Sequence, residues 1–171
     1  MQLNMKRILI GLVALMAAVS LEAQVRPVNN HTVSTTLGAG LEYAFEWAFA
    51  GPATLVGRIG YASKGMSLVN NLESFSWSAT MAPAVSLEPR FYFLMDWRDA
   101  HGKYTRGNSA EFIGIPVMYA LSGELVVSPR VGVRRAFEKH WFHEFTAGAD
   151  LMCLPVYAAT PHVGYRIGFL F

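Results

Sequence analysis

Apolar and polar residues alternate with a period of two along most of this chain, and this alternation restricts the folds it can adopt. From 33 to 47 the large apolar side chains, such as Leu41, Phe45 and Trp47, fall only on odd positions. Successive side chains of a β-strand point to opposite faces of the sheet, so the pattern predicts strands with one apolar face. The same alternation recurs at 54–61, 85–93, 125–133, 144–151 and 163–171.

The first 23 residues have the pattern of an export signal. Lys6 and Arg7 precede the 13-residue apolar stretch Ile8–Ser20, which is shorter than the about 20 residues that a membrane-spanning helix needs. Cleavage before Gln24 would follow the small residue Ala23. We therefore expect a signal peptide at 1–23 and one exported domain at 24–171.

The composition narrows the functional classes further. Charged residues make up 15% of the chain, and the formal net charge is +2, which disfavours a nucleic-acid partner. Cys153 is the only cysteine, which excludes an internal disulfide and a multi-cysteine metal site. His140 and His143 are three residues apart, so on a strand they point to opposite faces and cannot converge on one metal ion. We expect no cofactor and no metal.

The residues on the polar face distinguish a membrane barrel from a soluble sandwich. They are small residues together with five acids and five arginines, without lysine: Glu42, Glu46, Glu88, Glu144, Asp150, Arg58, Arg90, Arg130, Arg134 and Arg166. Arginine is suited to buried bidentate pairing, and a narrow barrel interior would be filled by such paired charges. We predict an all-β, eight-stranded antiparallel up-and-down transmembrane barrel, with these ten residues as an ion-pair network in its non-conducting lumen and its apolar residues facing lipid.

The length fits eight strands, because strands of about 11 residues would use about 88 residues of the exported domain. Our assignment is 33–49, 53–62, 75–82, 84–94, 110–120, 124–134, 141–153 and 162–171. It puts the long connection 96–109 on the periplasmic side, where turns are usually short. A second assignment therefore stays open, in which 75–94 is one long strand and 25–32 begins an extra one.

Aromatic residues fall near the ends of these strands. They are Trp47, Phe49, Tyr61, Trp77, Trp97, Tyr119, Trp141 and Tyr157. Aromatic rings at strand ends form girdles at the two membrane–water interfaces of outer-membrane barrels, and we predict that role for these residues.

The end of the chain carries a family resemblance. The segment 165–171 stops on Phe171 and has an apolar residue at every second position before it. It resembles the C-terminal strand of Gram-negative outer-membrane β-barrel proteins. The segments 40–43, 86–93 and 102–109 are similar to small barrels of the Bacteroidetes type, whose activity is largely unassigned.

The resemblance implies a location and a route of assembly. The location is the cell outer membrane, with its lipid and lipopolysaccharide as surroundings. The barrel-assembly machinery and periplasmic chaperones would be the partners during assembly. The assembly signal would be the terminal apolar set Tyr165, Ile167, Phe169 and Phe171.

For function, we expect a structural, adhesive or surface-interaction role without catalytic residues. One alternative is a lipid-modifying enzyme that resembles the outer-membrane lipid A deacylases. It would need a histidine in contact with a hydroxyl nucleophile, and for His162 the serine would have to come from a distant strand, such as Ser86 or Ser128. Another alternative is a soluble periplasmic barrel that binds an apolar ligand. The sequence assigns no ligand, surface partner or oligomeric state.

Overall fold

The computed structural model describes residues 25–36, 40–71, 74–155 and 157–171, and between 62 and 81 it describes the backbone alone. The signal peptide expected at 1–23 lies outside the described residues. Within them, no helix is long and apolar enough to cross a membrane.

Eight strands follow one another around a closed barrel, and two of them consist of two segments. They are β1 (Asn30–Thr36), β2 (Gly40–Ala50), β3 (Ala53–Asn71), β4 (Ser74–Tyr92), β5 (Glu111–Gly114 and Val117–Ala120), β6 (Leu125–Val127 and Arg130–Phe137), β7 (Trp141–Leu154) and β8 (Ala158–Leu170). A short helix, α1 (Met95–Ala100), lies between β4 and β5. Neighbouring strands are antiparallel, and pairing of β1 with β8 closes the barrel. The predicted eight-stranded antiparallel barrel is therefore confirmed.

Prolines interrupt β5 and β6, because proline has no N–H to contribute to the ladder. Both segments of β5 pair with β4, and both segments of β6 pair with β7. At the interruptions, the N–H of Ser128 donates to the carbonyl of Pro116 at 2.9 Å, and the N–H of Ala149 donates to that of Pro129 at 3.1 Å. The barrel wall is therefore continuous across both interruptions.

Three parts of the strand assignment are wrong. The strand predicted at 53–62 does not end there but runs on to Asn71 in β3. Residues 33–49 are not one strand but parts of β1 and β2, which pair from Asn30↔Glu46 to Thr35↔Leu41. Residues 75–82 and 84–94 are not two strands, because β4 runs unbroken through Pro83, as in the second assignment. Even-numbered residues face inward on both β1 and β2, so the alternation of the sequence keeps the same phase in both strands and does not show where β1 ends.

The connection 93–110 lies across the barrel end at which β1 begins and β8 ends. The N–H of Val28 donates to Asn108 Oδ1 at 2.8 Å, and Asn108 Nδ2 donates back to the carbonyl of Val28 at 3.0 Å. The N–H of Val25 donates to Asp96 Oδ1 at 2.7 Å. This end, which we call the base, is therefore closed by the connection and the N-terminal segment together.

Two glycines of this connection offer a matched test of how it closes the base. Gly102 and Gly107 both have φ of +63°, but a Cβ on Gly107 would lie 2.7 Å from Leu170 Cδ1, whereas a Cβ on Gly102 would meet open space. We expect Gly102→Ala to lower the free energy of unfolding by about 1 kcal/mol through backbone strain alone. Gly107→Ala should lose a further amount of about 1–3 kcal/mol through crowding against β8.

Denaturant unfolding of the two variants in detergent measures this difference. Equal losses in Gly102→Ala and Gly107→Ala would show that the connection does not pack against Leu170.

Candidate functional site

The most distinctive site of the molecule is the barrel interior. All ten charged residues proposed from the sequence as the lumen network lie on the inner faces of the strands. Nine of them form one connected set, which we call the interior network: Glu42, Glu46, Glu88, Glu144, Arg58, Arg90, Arg130, Arg134 and Arg166. The tenth, Asp150, pairs with His162 instead.

Glu144 on β7 is one of two centres of the interior network. Its carboxylate accepts from Arg90 at 2.7 and 2.8 Å, in the bidentate geometry of a strong ion pair. It also accepts from Arg134 Nε at 3.0 Å and from Arg166 Nη1 at 2.8 Å. Glu144 is 1% exposed, so three guanidinium groups take the place of water around one buried carboxylate.

Glu88 on β4 is the second centre. Its carboxylate lies 2.5 Å from Arg58 Nη1, 2.7 Å from Arg130 Nη2 and 3.0 Å from Arg90 Nε. Arg90 thus bridges Glu88 and Glu144, and it is fully buried together with Glu88. The ring of Phe112 lies 4.0 Å below the Arg90 guanidinium and adds a cation–π contact.

The interior network also reaches the strands that flank these centres. Arg134 Nη1 donates to Glu46 Oε2 at 2.6 Å, and Arg166 Nη2 lies 3.1 Å from Glu42 Oε2. Glu46 further accepts hydrogen bonds from Tyr92 at 2.7 Å and from Thr54 at 2.8 Å.

Sequence reasoning missed the large uncharged side chains of the interior, although their even residue numbers could have identified them. Tyr92, Phe112 and Phe142 are fully buried, and each stands at an even position of a strand whose odd positions are mostly apolar. Phe142 lies 4.8 Å from the Arg134 guanidinium. An aromatic residue at an even position, on the face opposite the apolar one, therefore indicates a ring that points into the barrel.

Glycines on the inner face make room for these large side chains. A Cβ on Gly114 would collide with the Glu88 carboxylate, and a Cβ on Gly132 would collide with the ring of Phe112. Small and large inner residues therefore alternate around the barrel, as its fixed diameter requires.

Asp150, His162 and Thr146 form a separate polar chain that extends away from the base. His162 Nδ1 lies 3.2 Å from Asp150 Oδ2, and His162 Nε2 lies 3.1 Å from Thr146 Oγ1. A nucleophilic enzyme would use such a carboxylate–imidazole–hydroxyl chain. Here, however, the hydroxyl is the most deeply buried group: Thr146 is 4% exposed, whereas the Asp150 side chain is 34% exposed. A substrate entering from the end opposite the base would meet the carboxylate before the hydroxyl, so the order of groups is unsuited to acyl transfer.

The two serines that the sequence offered as nucleophiles for a hydrolase lie away from the His162 imidazole. Ser86 lies on the inner face of β4, on a strand that does not pair with that of His162. Ser128 contacts Asp150 rather than the imidazole. Neither hydroxyl is a hydrogen-bond partner of His162 in the part of the chain that is described.

The histidines near the base bind protein groups. His140 Nδ1 lies 3.1 Å from the carbonyl of Leu170, and its ring stacks on Phe169. His143 faces outward against Phe137. Across the described ranges, no three His, Cys, Asp or Glu residues lie close enough together to hold a metal ion.

The outer surface carries the large apolar side chains. Exposed examples are Leu41 (62%), Ile59 (60%), Val131 (54%) and Val163 (69%), on four different strands. The proposed assembly-signal residues Tyr165, Ile167 and Phe169 alternate with the inward-facing residues of β8, and Phe171 follows that strand with 71% exposure.

Comparisons of the chain with protein-family models, with curated proteins and with solved structures gave no significant match. The proposals for function therefore depend on the geometry and on the sequence pattern.

Arg90 is the residue through which the stability of the interior network is best tested. Arg90→Met keeps much of the buried volume but leaves Glu88 and Glu144 short of positive charge. Breaking a buried ion pair in this way costs about 3–5 kcal/mol, so we expect the free energy of unfolding in detergent to fall by about that amount. Arg106→Met, at an exposed residue in the connection that closes the base of the barrel, is the control. It should change the free energy of unfolding by less than about 0.5 kcal/mol. Equal, small effects of both substitutions would mean that the interior charges do not stabilise the barrel.

Proposed function

We propose that this chain is an integral outer-membrane β-barrel protein of the small Gram-negative type, exported by the signal peptide 1–23. Its role in this proposal is structural, adhesive or surface-interacting, and its interior does not conduct. The observation that carries the proposal is the distribution of side chains, which is the inverse of that in a soluble protein. Charged side chains are buried within the barrel, and large apolar side chains cover its outside.

The apolar outer surface supports a lipid environment. Burial of apolar surface is favourable by about 25 cal/mol per Å². A soluble monomer with a belt of exposed Leu, Ile, Val, Phe and Trp on strands β2 to β8 would forgo that stabilisation around most of its circumference. Extensive apolar patches on soluble monomers are rare. Lipid acyl chains cover such a belt in outer-membrane barrels, whose strands are apolar outside and polar inside.

Aromatic side chains at the two ends of the barrel support the same environment. Near the base, Trp47, Phe49, Trp97 and Trp141 are exposed, and near the other end Tyr61, Tyr119 and Tyr157 are exposed. The side chain of Trp77, which was predicted to join them, lies outside the described residues. The two aromatic groups fit the interfacial girdles that flank the lipid-facing band of outer-membrane barrels.

The filled interior supports a non-conducting barrel. Glu46, Glu88, Arg90, Phe112 and Glu144 are each at most 2% exposed, although they come from different walls of the barrel. Eight strands leave an interior only wide enough for such side chains.

The end opposite the base supports a role in display. The described pairing of β3 with β2 reaches Ala62↔Gly40, and the pairing of β4 with β5 reaches Ala84↔Ala120. The pairing of β3 with β4 nevertheless continues to Asn71↔Ser74. At about 3.3 Å per residue, this hairpin extends about 30 Å along the strand past its last described pair with β2. In the proposed orientation, with both termini periplasmic, the hairpin faces the lipopolysaccharide layer.

The test compares two substitutions that both introduce arginine at an exposed apolar residue. Val131→Arg places the charge within the belt, where an arginine near the bilayer midplane costs about 2–4 kcal/mol. Leu121→Arg places it in the turn between β5 and β6, where Leu121 is 68% exposed. We expect wild type and Leu121→Arg to fold into phosphatidylcholine vesicles and to migrate faster on gels before boiling than after, and Val131→Arg to yield much less of the fast band.

Two results would contradict the proposal. One is a wild-type protein that shows no heat-dependent shift and stays monodisperse without detergent, which would favour the soluble ligand-binding barrel. The other is full folding of Val131→Arg, because a soluble barrel tolerates arginine at an exposed surface residue.

A further inference from the structure

Among the strand side chains that the structure describes, formal charge on the outer surface of the barrel occurs at one place. Among the outward-facing residues of the described strands, the charged ones are Glu111 on β5 and Arg135 on β6. They lie side by side near the base, where Arg135 Nη2 donates to Glu111 Oε1. Apart from the imidazoles of His31 and His143, the other described outward side chains of these strands carry no carboxylate, ammonium or guanidinium group.

A third charge comes to the same place from the connection that closes the base. Arg98 of α1 lies with Nη1 3.9 Å from the same oxygen, Glu111 Oε1, and Nη2 donates to the carbonyl of Tyr104 at 3.2 Å. Arg98 is 8% exposed, and its Nε is buried without a hydrogen-bond partner among the described residues. Two guanidinium groups thus share one carboxylate, and the cluster of Arg98, Arg135 and Glu111 has a net charge of +1.

The electrostatics of Arg98 show that the single carboxylate does not fully compensate the cluster. Burial lowers the pKa of the Arg98 guanidinium below its ordinary value, and repulsion from Arg135 lowers it further, against the opposing effect of Glu111. An additional anion would relieve this repulsion.

The surroundings of the cluster indicate which anion fits. Ile113 follows Glu111 on the same outward face of β5 and pairs with Val131 on β6, and both side chains are about half exposed. Phe93 and Phe137 are also exposed at this end of the barrel. The cluster therefore lies at the lower edge of the apolar belt, with positive charge next to a surface that acyl chains would cover.

We infer that the cluster of Arg98, Arg135 and Glu111 binds the phosphate of a phospholipid headgroup in the leaflet at the base, with the acyl chains of that lipid lying over Ile113 and Val131. The inference rests on the proposed membrane location and deepens it by naming a lipid class. A guanidinium presents paired N–H donors that match two phosphate oxygens. A net positive cluster favours an anionic lipid, such as phosphatidylglycerol, over a zwitterionic one.

The experiment measures lipid retention by protein folded in detergent, using native mass spectrometry after addition of phosphatidylglycerol or phosphatidylcholine. We expect wild type to retain phosphatidylglycerol in preference to phosphatidylcholine. Arg98→Gln and Arg135→Gln should each weaken that retention about fivefold, which corresponds to about 1 kcal/mol for one basic side chain near an anionic lipid. Lys139→Gln, a basic residue in the turn between β6 and β7 at the same end, is the control and should retain the lipid as wild type does.

Glu111→Gln gives a change of the opposite sign. Removal of the competing carboxylate raises the net charge of the cluster to +2, so phosphatidylglycerol should be retained more strongly. A cluster with a purely structural role would lose stability in this variant without any gain in lipid retention, and that result would overturn the inference.

Two further results would also overturn it: unchanged lipid preference in both arginine variants, and displacement of the lipid by inorganic phosphate at equal concentration, which would indicate a site for free phosphate. Failure of the proposed membrane location is distinguishable from these outcomes, because the heat-dependent gel shift in phosphatidylcholine would then be absent from every variant, including Lys139→Gln.

Discussion

The buried ion pairs between carboxylates and guanidiniums are the constraint on which the rest of the barrel depends. A charge inside this protein must be paired, because transfer of an unpaired ion from water costs several kcal/mol. Arg90 of β4 meets Glu144 of β7, and Arg134 of β6 meets Glu46 of β2. These strands are not neighbours in the sheet, so the pairs cross the interior and connect walls that the backbone ladder does not join directly.

This pairing also fixes which residues face outward. Because side chains alternate, a slip of one residue in any strand would expose its charged members and bury its apolar ones. The carboxylates of Glu88 and Glu144 must meet arginines inside the barrel. The register that achieves this pairing places Ile59, Val131 and Phe145 outside. An apolar outer surface, an interior filled by side chains and a base closed by the connection 93–110 are all consequences of the same register.

The sequence predicted the class of fold well and its connections less well. Alternation fixed the inner and outer faces of the strands, and the presence of arginine without lysine on one face indicated buried pairing. Alternation could not locate the boundary between β1 and β2, since both strands keep even residues inside. Pro83 was misleading, because it stands within β4 with its carbonyl still accepting from Leu121. Individual partners, such as Arg134 with Glu46, depend on strands far apart in sequence and could not be derived from spacing.

Measurement of the accessibility of single spin labels in a lipid bilayer tests the central claim most directly. Replacement of Cys153 by serine leaves a background in which cysteines at Ile59, Val131, Phe145 and Leu121 can be labelled one at a time. We expect labels at the first three positions to collide with dissolved oxygen but to be shielded from a water-soluble nickel chelate, and the label at Leu121 to show the reverse. The opposite result would be equal access of the chelate to all four labels. If the labels at Ile59, Val131 and Phe145 were as accessible to it as the label at Leu121, the apolar side of the barrel would not lie in lipid.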